Sequence, residues 1–290
     1  MASSGLIETS ILQVAKDERK IFDSTDNLFA IVLTTDFNCK VRIASDLSHF
    51  DIAINLGFLR FYNEMSKMLL SRINVISETE YKSKKYKRNK GLSFEQTVAI
   101  ARTHLEAFWN NELPKHNSVS VNDLDDGTAH FYRLILVQGL RFSIAHELSH
   151  IIFKISPKNR TYLESGQNSV KLILKDVPTH MFKEKWLSDI IENWGHEFAA
   201  DHLGLELAIN TEKTEIYKEF QFFAAEWLFI LMDMLWRYYA QKHGGITLTT
   251  HPAPFMRFER LKNSVNPSQG IINALPTLQD MVKKIVEASI

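Results

Sequence analysis

Two histidines four residues apart, with a glutamate beside the first, carry the most specific chemistry in this chain: His146-Glu147-Leu148-Ser149-His150. On a helix, positions i and i+4 share one face, so both imidazoles can reach a single metal ion. Glu147, turned about 100° from His146, can meet a water on that ion and act as its general base. Residue frequencies predict such a pentapeptide roughly 0.03 times in a chain of this length, so chance is a poor explanation. The surrounding run from Tyr132 to Lys154 is apolar almost all round, which marks a central, buried helix. Two histidines and a carboxylate in such a helix need polar partners, and a bound cation supplies them.

A hydrolytic zinc site uses three protein ligands and leaves one position open for water. The second cluster, His196-Glu197-Phe198-Ala199-Ala200-Asp201-His202, offers Glu197 as the third ligand, with His196 and His202 as rivals. Asp201, one turn beyond Glu197 on the same face, is placed to accept a hydrogen bond from a ligand imidazole and fix its tautomer. Ala199, Ala200 and Gly204 let this helix approach the first closely. The third cluster is Thr250-His251-Pro252-Ala253-Pro254-Phe255-Met256-Arg257. Pro252 suits a first helical turn, with His251 at the helix mouth and Arg257 between one and two turns inside. From there His251 can donate to a developing oxyanion, and Arg257 can pair with Asp201 or hold a substrate carboxylate.

These groups need rigid elements to hold them. Short β-branched runs at Leu28–Leu33, Lys40–Ala44 and Phe50–Ile54, separated by turn signals at residues 36–38 and 46–48, predict a small antiparallel sheet. Apolar residues from Phe58 to Ile73 recur at spacings of three and four, predicting an amphipathic helix. Ser93, with Gln96 three residues on, predicts a capped start for a helix reaching Trp109. Beyond residue 127, helices are predicted at Ala129–Lys154, Lys185–Asn210, Thr214–Lys242, Pro252–Lys262 and Thr277–Ala288. The class is α+β, mainly α: a sheet-plus-helix region over 1–91 packed on a helical core over 92–290, as one continuous unit.

Composition narrows the function classes. The 34 basic residues balance 34 acidic ones, so no whole-molecule field draws the chain to nucleic acid or an anionic membrane. The only cysteine, Cys39, cannot form an internal disulfide, and residues 1–20 lack a signal-peptide core; both point to the cytoplasm. The stretch from Phe220 to Tyr239 is interrupted by Glu226 and Asp233, which argues for a buried helix and against a membrane span.

Taken in order, His146–His150, Glu197–Asp201 and His251–Arg257 resemble the gluzincin pattern of HExxH, ExxxD and HP followed by Arg, as in metallopeptidases of the CAAX prenyl protease and HtpX type. Those enzymes are often membrane-embedded. In size, and in the mid-chain position of its HExxH, the chain more closely resembles the phage exclusion protein Lit family. The resemblance implies a zincin-like fold and a cytoplasmic zinc endopeptidase of bacterial antiphage defence. It also implies a protein substrate and latency until a phage-derived or partner-protein activator arrives; Lit-type proteases cleave elongation factor Tu. The basic run Lys82–Lys90, more simply read as a solvated loop, and the segment Pro157–Val177 are candidate exosites.

The resulting expectation is Zn2+ held by His146, His150 and Glu197, with Glu147 as base and His251 as oxyanion donor. A zinc-stabilised binding or sensor protein is the main alternative, and the intact HExxH glutamate argues against it because a structural site needs no base. A di-iron bundle would need a second E-x-x-H pair beside Glu147-x-x-His150, and the chain has none. A nucleophile enzyme is disfavoured by the absence of G-x-S-x-G and by the isolation of Cys39 from any histidine in sequence.

Overall fold

The computed structural model describes residues 28–32, 39–43, 49–73, 91–110, 112, 119–175, 184–210, 214–244, 251–264 and 269–290. The N-terminal residues 1–20, the turns expected at 36–38 and 46–48, and the basic run 82–90 lie outside them. The described residues are mainly helical, with one small sheet ahead of the helices.

Strands β1 (Leu28–Val32), β2 (Cys39–Ile43) and β3 (Phe50–Asn55) form a sheet in the order β1-β3-β2. Strand β2 pairs antiparallel with β3, Val41 opposite Ile52, whereas β1 pairs parallel with β3, Ala30 opposite Ala53. The antiparallel expectation is therefore corrected to a mixed sheet. Turn signals show where a chain reverses but not on which side of a neighbour it returns. Here β3, which buries Phe50, Ile52 and Ile54, takes the centre and leaves β1 and β2 as edges.

Helix α1 (Leu56–Leu70) follows β3 directly and buries Phe58, Phe61, Met65, Met68 and Leu69, the predicted stripe. Helix α2 (Phe94–Trp109) starts with the predicted capping box: the Gln96 amide donates to Ser93 Oγ, and the Ser93 amide donates to Gln96 Oε1 at 2.8 Å. Helix α3 (Asp126–Ile155) is capped by Asp125, which accepts from the Thr128 amide at 2.8 Å.

Helix α4 (Arg160–Leu174) has no counterpart in the sequence reading. It buries Gly166 and Val170, with Tyr162, Ile173 and Leu174 partly buried at helical spacing, a periodic face that the sequence reading left unassigned. Its position is set by contact with α5 (Glu184–Asn210), where a Cβ on Gly166 would lie 2.1 Å from the Gly195 carbonyl oxygen. Helix α6 (Glu215–His243) ends at Gly244, whose φ of 75° is the left-handed conformation that glycine adopts without strain. Helix α7 (Pro254–Ser264) begins two residues later than Pro252 suggested. Helix α8 (Gln269–Ser289) begins eight residues before the expected Thr277, where Pro276, which lies inside it, imitates a helix start.

One apolar cluster unites β3 with α1, α2, α3, α5, α6, α7 and α8, with Trp227 and Phe142 at its centre. The Trp227 indole N–H donates to Ser66 Oγ at 2.9 Å, tying α6 to α1. No helix among the described residues is long and apolar enough to cross a membrane.

Glu226, one of the two acids that break the apolar stretch, is 0% exposed on α6, and among the described residues neither carboxyl oxygen has a hydrogen-bond partner. Burial pushes its pKa well up, so the folded chain keeps a proton that the unfolded chain releases. The sign follows: stability falls as pH rises from the unfolded pKa of about 4.3 toward the folded value. Glu226→Met is expected to stabilise the fold by about 1–3 kcal/mol at neutral pH, with a smaller gain near pH 5. Urea unfolding at pH 5 and pH 8 checks this; a gain independent of pH would contradict it.

Candidate metal centre

His146, Glu147 and His150 lie in the C-terminal half of α3, His146 buried and the other two half-buried, and Glu197 and Asp201 lie one turn apart on α5. The two helices approach closely because α5 is small where they meet. A Cβ on Gly204 would stand 2.8 Å from the His146 backbone nitrogen, and Ala199 and Ala200 are buried nearby in the same helix. Helix α7 supplies Arg257, and His251 precedes the buried Pro252, Ala253 and Pro254 that lead into it.

His146 Nε2 lies 3.2 Å from His150 Nε2, and the two Glu197 oxygens lie 3.6 Å from one ring each: Oε2 from His146 Nε2, Oε1 from His150 Nε2. Ligand bonds of about 2.0–2.2 Å around a tetrahedral ion separate ligand atoms by about 3.3–3.6 Å, so this triangle fits one ion. The His146, His150 and Glu197 cluster can hold a metal ion; its donor atoms all lie within 4.8 Å of one another. A hydrogen bond between two core histidines would account for the 3.2 Å contact, but not for a carboxylate that faces both rings.

Asp201 Oδ1 stands 3.0 Å from His146 Nδ1, on the ring edge opposite the cluster. Holding the Nδ1 proton there leaves Nε2 as the ligand atom. Arg257 closes the network. Its Nε and Nη2 donate to the two Asp201 oxygens at 2.9 and 2.6 Å, its Nη1 lies 3.3 Å from Glu197 Oε2, and its guanidinium lies over the Phe229 ring at 4.9 Å. Of the two roles open to Arg257, pairing with Asp201 is the one observed. With its donors engaged by buried carboxylates, it is not positioned to hold a substrate carboxylate.

These contacts set the site's electrostatics. Burial works to raise Asp201, but Arg257 and His146 hold it down at about 2. Burial likewise works to raise Glu197, and Arg257 with the surrounding histidines keeps it below the ordinary carboxylate range. Burial opposes a charge on His146, yet the Asp201 carboxylate lifts it above the usual histidine value. His150, buried and beside that charge, is pushed down to about 3. Burial raises Glu147 to about 7, placing its proton exchange near neutrality.

The rivals of Glu197 face elsewhere. His196 packs edge-on against Phe153, and His202 lies 3.3 Å from Glu206 Oε1 with its ring against Tyr162. His251 Nε2 stands 3.6 Å from Glu197 Oε1, with its side chain 65% exposed. Thr250 lies outside the described residues.

Two contributors escaped sequence reasoning. Phe229 supports Arg257 and packs edge-on against Phe142, one turn before His146, but in an apolar helix it cannot be told from other core residues. The Val41 backbone hydrogen-bonds to Glu147 from edge strand β2. A main-chain donor leaves no mark in residue types. Comparison with known proteins returns no match to this chain among family models, curated proteins or solved structures.

Proposed function

We propose that this protein is a zinc-dependent endopeptidase with a zincin-like active site. The observation that carries the reading is the triangle of His146, His150 and Glu197, set beside a second carboxylic acid, Glu147, that the triangle does not use. Two imidazoles and a carboxylate in a buried setting suit zinc. When bound, zinc supplies an activated water and offsets negative charge that develops on the scissile carbonyl.

The chain's own residues do the rest. Glu147, with a pKa of about 7, takes a proton at neutral pH and passes it to the leaving amine. His251, at the rim beside Glu197, donates to the carbonyl oxygen as it gains charge. Asp201 sets the His146 tautomer, and Arg257 holds Asp201 and Glu197 in register. The substrate is a protein. In keeping with the resemblance to Lit, we propose a latent cytoplasmic antiphage protease, started by a phage-derived or partner protein, that cleaves a host or phage protein such as elongation factor Tu.

Titration of the metal-free protein with Zn2+ is expected to give one tight site per chain. Removing an outer-sphere partner of a zinc ligand typically costs about 10–100-fold in affinity, so Glu197→Ala, which removes a ligand itself, should cost at least about 100-fold. Unchanged affinity in that variant would move the third ligand elsewhere and sink the proposed arrangement.

A further inference from the structure

The proposed latency needs a physical device, because an intact HExxH with three protein ligands and an open position is ready to work. The residue best placed to provide one is His251. Its Nε2 stands 3.6 Å from Glu197 Oε1, the same distance as His150 Nε2 from that oxygen. Its backbone leads into the buried Pro252, Ala253 and Pro254, where Ala253 accepts from the amides of Met256 and Arg257 at 2.9 and 3.3 Å. His251 is thus joined to the helix whose Arg257 positions Glu197, while its side chain is 65% exposed.

We propose that His251 is a displaceable fourth protein ligand: with its imidazole on the metal the site is closed, and its departure opens the position that a substrate uses. This rests on the zinc reading above. Four protein ligands are the mark of structural zinc sites, which hold no activatable water; three are the mark of hydrolytic ones. One side chain moving between the metal and the rim therefore switches the centre between the two. The ring now stands outside the 4.8 Å grouping of His146, His150 and Glu197. Rotation about its two side-chain bonds moves Nε2 by several ångströms, and with Nε2 already 3.6 Å from Glu197 Oε1 this is the motion proposed to close the site. Departure exchanges one imidazole for one water on the ion and leaves every covalent bond unchanged. An activator works in this scheme by binding the released form of the 251 segment, which draws the population toward the open site.

The test uses the full chain loaded with Zn2+ or Co2+, and none of its readouts is activity. His251→Ala is expected to lower Zn2+ affinity by at least about 10-fold and to change the visible spectrum of the Co2+ form, since a protein ligand is lost. Azide, a small metal-binding anion, should perturb the Co2+ spectrum of His251→Ala but not that of the wild type. If His251→Ala keeps wild-type affinity and spectrum, or azide perturbs the wild type as it does the variant, His251 is not a ligand and the inference fails, while a three-ligand zinc site survives. If the wild type takes up no Zn2+, the zinc reading itself fails.

Discussion

Glu147→Gln is expected to leave Zn2+ uptake essentially unchanged and to lower peptide-bond cleavage by about 10²–10⁴-fold, the usual contribution of a positioned general base. The side chain keeps its size and sits outside the His146–His150–Glu197 triangle, so it does not contribute a ligand atom. What it loses is a carboxylate that burial has raised to about 7 and that can therefore both accept and return a proton near neutral pH. Expressing wild type and variant side by side, with and without phage infection, and comparing new protein N-termini by mass spectrometry checks the prediction and finds the substrate. Identical N-termini and equal toxicity in the two strains, with infection included, would remove Glu147 from catalysis. In vitro, activity of the variant should stay about 10²–10⁴-fold below that of the wild type at every pH tested.

Arg257→Met is expected to have the largest effect on stability. Asp201 and Glu197 are only 2% and 9% exposed, and Arg257 is the arginine that compensates both. Removing one partner of a buried ion pair leaves an uncompensated charge and typically costs about 3–5 kcal/mol. The metal-free protein should lose about that much in urea unfolding at pH 7, and Zn2+ should restore part of it by taking over the Glu197 charge. Arg257→Lys should be nearly as damaging, because an ammonium cannot hold Asp201 with two donors, reach Glu197 with a third and lie flat over Phe229. The pH dependence has a definite sign. Asp201 titrates at about 2 when folded and near 3.9 when unfolded, so the stability it contributes is present above about pH 3.9 and lost as pH falls toward 2. Without Arg257 its folded pKa rises, and that acid-side loss should shrink. A variant within about 1 kcal/mol of wild type would show that Arg257 does not offset a buried charge.

The parts of this architecture legible in the residues are those governed by local geometry. HExxH on one helix and ExxxD on another are statements about a 3.6-residue period, and α3 and α5 place those residues on single faces. The Ser93–Gln96 capping box was readable for the same reason: donor and acceptor are three residues apart. Gly204 was readable as a point of close approach because a missing side chain is a steric fact wherever its helix packs. Helix α4 carries the same three-and-four spacing at Tyr162, Gly166, Val170 and Ile173, so it too was legible, although the sequence reading did not assign it.

Residue order by itself determined which side chains share a helix face, and with it the pairs His146–His150 and Glu197–Asp201. It left Glu197 in competition with His196 and His202, left Arg257 with two possible partners, and left β1 free to pair on either side. The tertiary structure decided each of these. The rotation of α5 against α3 turns Glu197 inward and sends His196 to Phe153 and His202 to Tyr162. The docking of α7 brings Arg257 to Asp201 across 56 residues of chain. The burial of β3 puts β1 and β2 on opposite edges. A helix specifies the angle between its own side chains, but which angle faces a neighbour is set by how much apolar surface the whole core can bury, and no local spacing contains that quantity.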